Sequence, residues 1–427
     1  MATCVVILYK NTKPINTVLD PGLILVIVLL ITAGATQIIF NVFFDEFCVN
    51  VWVLCSDPYY VPRIMSMNVM YSAIFTFIYV MTCRNFLKST PIDSNTLVRE
   101  YKLAYNPFFW LLVVILVRVV DKLFGALGMK YIEVYWGNIA DLSYLVLYSA
   151  LLLHIKGVRN TIVVVVLFSL FSMFIYYPII VSDVYEVNKG GVIKDLVFCL
   201  VFLSLVKYPG KLITPFRFFL GIVFLPIFLG AANFAEALLG GFPVTLLDLA
   251  IYVIQGYEIQ MLENQAYILN GIENGEFGML NGASYLDALI DIFYPSSGAV
   301  PPSEWYADVV TFGTDVESGF GFSFLAEGIL NFGGWGVFPT AIFSAAILLM
   351  IRSILNWKIS LMPVLYSYFV TLSYYVYRSD MMYVLKKIEF TFMSIIVLLV
   401  LYTVVKYVVY GVVRGASNDI DFVGSNH

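Results

Sequence analysis

Long apolar stretches separated by short polar segments run through the chain from its first residues. Several of these stretches approach or exceed the roughly 20 residues that a helix needs to cross a bilayer. The pattern predicts ten membrane-spanning helices, at residues 18–44, 64–83, 105–127, 139–155, 161–181, 192–206, 217–240, 321–351, 359–377 and 388–407. We therefore expect an all-α polytopic membrane protein in which residues 1–427 form a single integral membrane domain.

One polar interruption is much longer than the others. Residues 241–318 form a loop of 78 residues between the predicted seventh and eighth spans, which is too long for a simple connection in a compact bundle and indicates a functional segment. Apolar residues at near-helical spacing in 244–269 and again in 284–293 predict amphipathic helices at the interface or over the bundle. The second helix should carry its apolar and acidic residues on opposite sides, namely Leu286, Leu289 and Ile290 against Asp287 and Asp291.

Prolines then interrupt the loop pattern. Pro295, Pro301 and Pro302 predict that the second amphipathic helix ends there and that an irregular arm with Trp305 and Tyr306 follows.

Composition and charge support the membrane class and orient the spans. The chain is 61% apolar and 12% charged, far from the values of about 45–50% and about 25% that soluble domains show. Fifteen of the 24 basic residues fall on one side of the predicted bundle: Lys10, Lys13, Arg84, Lys88, Arg99, Lys102, Lys156, Arg159, Lys207, Lys211, Arg217, Arg352, Lys358, Lys406 and Arg414. That side should be cytoplasmic with both termini, and the long loop should then be periplasmic.

The outer loop and its surroundings are acidic. Residues 218–351 contain no Lys or Arg but 13 acidic residues. The sequence has no basic stretch of the kind that binds nucleic acid, so no nucleic-acid partner is expected.

The eighth span carries polar groups that lipid disfavours. Glu327 and Asn331 are spaced i to i+4, so they share one helical face, and the helix should break at Gly333, Gly334 and Gly336. Carboxylates at this depth usually face a bundle interior or a watery cavity and often mark function. The alternative is that Glu327 and Asn331 only join helices through hydrogen bonds.

Basic residues at the outer helix ends are few. Arg118 and Lys122 lie i to i+4 near the outer end of the third span, and Arg378 and Asp380 belong to a short predicted outer turn. Lys386 and Lys387 belong to the same predicted turn. Two cationic clusters that face one cavity would bind a diphosphate, Arg through paired donors and Lys as a point charge. Alternatively, Arg118 pairs with Asp121 or Glu133, and the two lysines lie at lipid headgroups.

Three phrases carry a family resemblance. They are NGASYLDALIDIFYP (281–295), GFGFSFLAEGILNFGGWGV (319–337) and YRSDMMYVL (377–385). In this order, after many spans and one large late outer loop, they resemble the Wzy-type oligosaccharide repeat-unit polymerases of O-antigen and related surface polysaccharides. The Glu-x-x-x-Asn-Phe-Gly phrase is the most specific of the shared features.

The resemblance implies a fold and a reaction. The fold would be similar to the glycosyltransferase-C superfamily at the periplasmic face of the bacterial inner membrane. The growing glycan would move from its undecaprenyl diphosphate carrier to a new lipid-linked repeat unit. The implied partners are undecaprenyl-diphosphate-linked oligosaccharides, the lipid bilayer and a chain-length regulator, and no metal or other cofactor is expected.

The demands of that reaction suggest residue roles. Arg378, with Arg118 and Lys122, would bind the departing diphosphate, assisted by Lys386 and Lys387. Glu327, or else Asp315 or Glu317 just before its helix, would accept a proton from the acceptor hydroxyl.

Sugar contacts come from polar and aromatic side chains. Asn331 and Asp380 would bond sugar hydroxyls, and Trp305 or Tyr306 would stack on sugar faces. For the aromatic side chains, anchoring at the membrane interface is an equal alternative. One departure from the family pattern is that the loop phrase YPSSGAVPPSEW lacks the basic residue often found near its proline.

Other chemistry finds little support in the sequence. The two histidines, His154 and His427, lie at the cytoplasmic end of a span and at the last position, which disfavours a histidine-based outer catalyst such as the related ligase. The five cysteines lack metal-ligand spacing, although Cys48 and Cys55 would be able to pair in an oxidising periplasm. A transporter or flippase for a lipid-linked or small polar solute is the alternative function, because a broken helix with Glu and Asn at membrane depth also suits a transporter.

Overall fold

The computed structural model describes residues 1–11, 20–42, 59–86, 106–171, 189–208, 260–294, 298–311, 322–357, 359 and 361–423, with the single residues 234, 245 and 249. Asp315, Glu317, Cys48, Cys55 and almost all of the predicted seventh span lie outside these residues. Across the described ranges every regular element is helical.

The helices in the first half of the chain are α1 (Ala2–Asn11), α2 (Pro21–Val42), α3 (Tyr60–Phe86), α4 (Pro107–Ala126), α5 (Lys130–His154), α6 (Val158–Phe171) and α7 (Lys189–Val206). The long loop contributes α8 (Gln260–Asn274), α9 (Ala283–Phe293) and α10 (Pro302–Thr311). The remainder are α11 (Phe324–Phe332), α12 (Val337–Ser353), α13 (Met362–Thr371), α14 (Tyr375–Arg378) and α15 (Met381–Val423).

Three helical stretches in the described part of the chain are long and apolar enough to cross a membrane: Tyr60–Arg84, Trp136–His154 and Phe324–Asn356. Pro21–Gly34 and Val158–Ser169 are shorter apolar helices. The predicted class, an all-helical membrane protein, agrees with these elements.

Helix α4 shows the burial pattern of a lipid-exposed helix. Most of its exposed positions are apolar, with Leu112 and Leu116 more than 60% accessible, whereas Arg118 and Asp121 are buried. A soluble helix would place these residues the other way round. Arg118 and Asp121 therefore face the bundle, and the apolar face is suited to acyl chains.

Two ends of the bundle can be told apart by their contacts. At one end, which we call the loop end, α8, α9 and α10 pack on the first turns of α3, α12 and α15 through Arg63–Glu273, Tyr285–Thr340 and Ser303–Asp380. At the opposite end Arg352 forms a buried ion pair with Asp20. Glu273 and Asp380 therefore lie at one end and Arg352 at the other, and which end is cytoplasmic stays a prediction.

The predicted eighth span is two helices rather than one. The helix breaks where the glycines predict it, in a 3₁₀ turn at Gly333–Gly336 that begins with a left-handed Gly333 (φ 58°). Gly328 and Gly336 would lie about 12 Å apart in a straight helix, yet a Cβ on Gly336 would meet the Gly328 carbonyl oxygen at 2.0 Å. Helix α11 therefore folds back against the start of α12, and for this reversal of the chain we call it the re-entrant helix.

The structure corrects two expectations about the long loop. The arm after Pro301 is a regular helix, α10, instead of an irregular segment. Helix α9 forms as predicted, but its apolar side, which includes Leu286, Leu289 and Phe293, is exposed, while Asp291 is buried. Since Asp287 remains exposed, the two aspartates do not share an environment.

The last helix also differs from its predicted bounds. Helix α15 begins at Met381, so Lys386 and Lys387 lie in its second turn and not in an outer turn. It has 43 residues, which at about 1.5 Å per residue makes it roughly twice the thickness of the hydrocarbon core.

Candidate functional site

The N-terminus of α15 is the point where the predicted site residues gather. Asp380 precedes the helix, and its Oδ1 accepts the Tyr383 amide at 2.7 Å as an N-cap. Its Oδ2 accepts the Ser303 amide at 3.2 Å and also the Ser303 hydroxyl, which joins α10 to α15. Asp380 is fully buried, so its predicted contact with a sugar is not open in this arrangement.

Glu327 binds the same helix end from the re-entrant helix. Its Oε2 accepts the Met381 amide at 2.6 Å, and its Oε1 accepts the Ser284 hydroxyl of α9 at 2.7 Å. Two carboxylates, Glu327 and Asp380, thus meet the first free amides of α15, where a helix favours negative charge. Glu327 is fully buried, and both oxygens are engaged as interhelical links.

Asn331 connects α11 to the segment that leads into α9. Its Nδ2 donates to the Ser284 hydroxyl at 2.7 Å, and its Oδ1 accepts the Gly282 amide at 3.0 Å. The main chains also join, because the Leu280 amide donates to the Leu330 carbonyl at 3.0 Å. These contacts join helices, which is the alternative that the sequence left open for Glu327 and Asn331.

A tyrosine accompanies this polar contact. Burial, and then the nearby Glu327 carboxylate, raise the pKa of Tyr285 well above its usual value, so its phenol stays neutral. Its hydroxyl shares a hydrogen bond of 3.2 Å with Thr340 at the start of α12.

A second polar cluster crosses the neighbouring helices α4, α5 and α7. Arg118 donates to Asp121 at 3.0 Å and to Asp141 at 2.6 Å. Lys194 lies 3.8 Å from the other oxygen of Asp141. The predicted alternative for Arg118, a pair with Asp121, is present. Lys122, four residues after Arg118, is exposed, and its joint binding of a diphosphate with Arg118 stays a prediction.

The cations near α15 have different surroundings. Arg378 donates to the Tyr374 hydroxyl at 2.9 Å and stacks on that ring. Lys386 forms an ion pair of 2.7 Å with the buried Asp291 of α9. Lys387 lies over the Tyr383 ring, with its Nζ 5.4 Å from the centroid.

Tyr306 packs inside the protein, and Trp305 is half-buried. Tyr306 is 3% exposed and meets Tyr267 and Phe322, while Trp305 packs edge-on against Phe277. The ring of Tyr306 therefore has no open face for a sugar in this arrangement.

The predicted site residues fall into two neighbouring groups. One group lies at the N-terminus of α15, which begins three residues after Arg378, and contains Glu327, Asn331 and Asp380. Arg118 belongs to the other group, the cluster with Asp141. Whether Glu327, Arg378 and Arg118 line one cavity stays a prediction.

Sequence reasoning missed several of the polar residues found here. Asp141 lies inside a predicted span, and the rarity of carboxylates in spans was a signal that could have identified it. Ser284 and Ser303 carried no such signal, because serine is common in loops.

Comparison with known proteins gave no relatives. No family model, curated protein or solved structure matches this chain. Among the described residues, no group of three or more His, Cys, Asp or Glu side chains is arranged to hold a metal ion.

Proposed function

We propose that this protein polymerises undecaprenyl-diphosphate-linked oligosaccharide repeat units at the periplasmic face of a bacterial inner membrane. In this proposal ten spans in a glycosyltransferase-C-like arrangement place both termini in the cytoplasm and the 241–318 loop outside. Each turnover moves the growing glycan from its lipid diphosphate onto a new lipid-linked repeat.

The observation that supports this function is the set of charges around the first turns of α15. Arg378, Lys386 and Lys387 lie within ten residues of one another, next to the buried carboxylates of Glu327 and Asp380. A departing diphosphate needs clustered cations, and an attacking hydroxyl needs a base close by.

The geometry refines the proposed roles. Glu327 fixes Met381 and hence the start of α15, so we assign it the positioning of Arg378. Arg378 would contact the leaving diphosphate together with Arg118 and Lys122. The base is then Asp315, Glu317 or, if α9 moves away from it, Glu327 itself.

Deletion of the gene in its native bacterium tests the reaction class. The surface polysaccharide is resolved on a gel, and a polymerase deletion leaves one-repeat glycan but no ladder. Arg378→Ala should reproduce that loss at normal protein level, while Lys156→Gln at the opposite end should keep the ladder. A full ladder in the deletion strain would refute the proposal.

Substitution of the three carboxylates separates their roles. Asp315→Asn and Glu317→Gln are compared with Glu327→Gln for ladder length and protein level. The base is the residue whose substitution abolishes the ladder without lowering the thermal stability of the purified protein.

A transporter or flippase is the second candidate, and the re-entrant α11 favours it. Short helices that end within the bundle around buried polar groups also form transport sites. Loss of every repeat, including the one-repeat glycan, in the deletion strain would indicate this function. Purified protein in liposomes that translocates the lipid-linked repeat without lengthening it would indicate the same.

A further inference from the structure

Helix α9 of the long loop presents apolar side chains outward and polar side chains inward. Its apolar side chains on the outer face are between 42% and 87% exposed: Leu286, Leu289, Ile290 and Phe293. The opposite side is buried, and three of its residues bond polar groups of other helices: Ser284, Tyr285 and Asp291. A helix on the surface of a soluble protein shows the reverse arrangement. The outer face of α9 is therefore suited to an apolar surrounding.

Contacts with α12 give the depth of α9 in the bundle. Residues 337–356, which form α12 and the 3₁₀ turn after it, rise roughly 30 Å, the thickness of a hydrocarbon core. Tyr285 shares its hydrogen bond with Thr340, and its ring lies 5.0 Å from that of Phe343. Thr340 and Phe343 lie about 4.5 Å and 9 Å along α12 from its first residue. Helices that lie in a membrane interface bury their apolar face to a similar depth, about 5–10 Å.

Helix α15 indicates the same depth. Asp291, near the end of α9, forms its ion pair of 2.7 Å with Lys386, which lies in the second turn of α15. The span that the sequence predicts in this helix begins two residues later, at 388. Helix α9 thus packs against α12 and α15 where both would enter the bilayer.

The exposed side of α12 is apolar along its whole length. Its exposed residues recur every four positions in one stripe: Phe338, Ile342, Ala346 and Met350. A stripe of this kind on a helix that is long enough to cross a membrane faces lipid.

An apolar cleft lies at the top of this stripe. Its volume is about 360 Å³, and it is lined by Phe332, Trp335, Phe338 and Pro339. The Phe332 ring lies 6.1 Å from that of Tyr285, so the cleft adjoins α9. Trp335 is 75% exposed beside the cleft, and tryptophan is enriched where a protein passes from lipid to water.

We propose that the outer face of α9 and this cleft are immersed in the bilayer leaflet at the loop end and are covered by lipid acyl chains. Asp287, an exposed charge of α9, lies three positions before Ile290 and four before the buried Asp291. It therefore sits at the border of the apolar face, where a carboxylate reaches headgroups and water. Helix α9 would then separate acyl chains on one side from Glu327 on the other. This membrane contact goes beyond the proposed reaction and does not depend on it.

Spin labels on the full chain in liposomes of phosphatidylcholine and phosphatidylglycerol test the proposal. A nitroxide is attached at Leu289→Cys or Phe293→Cys in a background without native cysteines. Oxygen concentrates in the hydrocarbon and a nickel chelate stays in water, so their relative effects on label relaxation report depth. Both labels should be relaxed more by oxygen than by the chelate.

Three further labels calibrate the measurement. Ile342→Cys, on the apolar stripe of α12, should give the same order as Leu289→Cys. Glu276→Cys, at an exposed position of the loop end, should be relaxed more by the chelate. Asp287→Cys should lie between these two limits.

Two outcomes would overturn the proposal. Labels at Leu289 and Phe293 that respond to the chelate as the Glu276 label does would place α9 in water. Weak relaxation by both reagents would show that protein, such as a second copy of this chain, covers the face. Since both side chains point away from the bundle, the labelled variants should elute as wild type does in size-exclusion chromatography.

Trp335 gives the cleft a readout of its own. Lipids with brominated acyl chains quench tryptophans that they touch, so they should quench a larger share of the emission of wild type than of Trp335→Phe. Equal quenching of the two proteins would overturn the proposal for the cleft.

Discussion

Glu327 shows how far a single residue can be interpreted from sequence. Its i to i+4 spacing with Asn331 identified a shared face and two alternatives, function or helix joining. The spacing did not identify its partners, because Ser284 and Met381 are 43 and 54 positions away. Long-range hydrogen bonds leave no periodic signal in the sequence, so the helix-joining contacts needed the structure.

Ser284 provides a stability test at the residue scale. Its hydroxyl donates to Glu327 and accepts from Asn331, so Ser284→Ala leaves two buried polar groups each short of a partner. We expect a loss of about 1–3 kcal/mol in unfolding free energy, measured by denaturant unfolding in detergent. Ser66→Ala is the control, since this exposed serine bonds only the Pro62 carbonyl of its own helix, and an equal loss there would contradict the prediction.

Among the helices, the sequence predicted where α11 ends but not which way the chain turns. Three glycines within four residues marked the break. The reversal depends on the close contact of Gly328 with Gly336 and on the contacts of α9 with both sides of the turn. Those contacts are tertiary, and a hydrophobicity pattern does not contain them.

Two neighbouring glycines test the re-entrant turn. A Cβ on Gly336 would lie 2.0 Å from the Gly328 carbonyl oxygen, while a Cβ on Gly334 would meet nothing within 4 Å. Gly336→Ala forces two backbones apart and should destabilise the protein by at least about 1–3 kcal/mol, as overpacking does. The unfolding free energy of Gly334→Ala should lie within about 0.5 kcal/mol of the wild-type value, the usual range for a substitution without contacts.

The comparison is made on purified protein by thermal unfolding and size-exclusion chromatography. Equal behaviour of the two variants would show that α11 and α12 do not meet at Gly328 and Gly336.

At the scale of the whole molecule, the ion pair between Asp20 and Arg352 joins α2 to the end of α12. The two side chains are 1% and 3% exposed. The sequence predicted Arg352 on the cytoplasmic side but did not pair it with Asp20, since the two are separated by 332 positions.

Removal of one charge should destabilise the protein much more than removal of both. Arg352→Met leaves the Asp20 carboxylate buried without its cation, at an expected cost of about 3–5 kcal/mol. Asp20→Asn keeps an oxygen for the Gly22 and Leu23 amides, so the double variant should recover most of the stability in thermal unfolding. A double variant less stable than Arg352→Met alone would contradict this account.

The orientation of the bundle is testable by cysteine labelling in a background without native cysteines. Glu276 at the loop end and Asn160 at the opposite end are both exposed. A membrane-impermeant maleimide added to intact spheroplasts should label Glu276→Cys and leave Asn160→Cys unlabelled until the membrane is opened. The reverse pattern would invert the topology that the basic residues predict.

The contacts of Glu327 also imply an order of assembly. Chains are synthesised from the N-terminus, so Ser284 and the Gly282 amide already exist when Glu327 and Asn331 emerge. The Met381 amide is made 54 positions later, and until then one oxygen of Glu327 lacks its partner. The re-entrant helix therefore gains its last contact only when the final helix is made. A chain truncated before α15 should lack that contact and be degraded faster by quality-control proteases than the full chain.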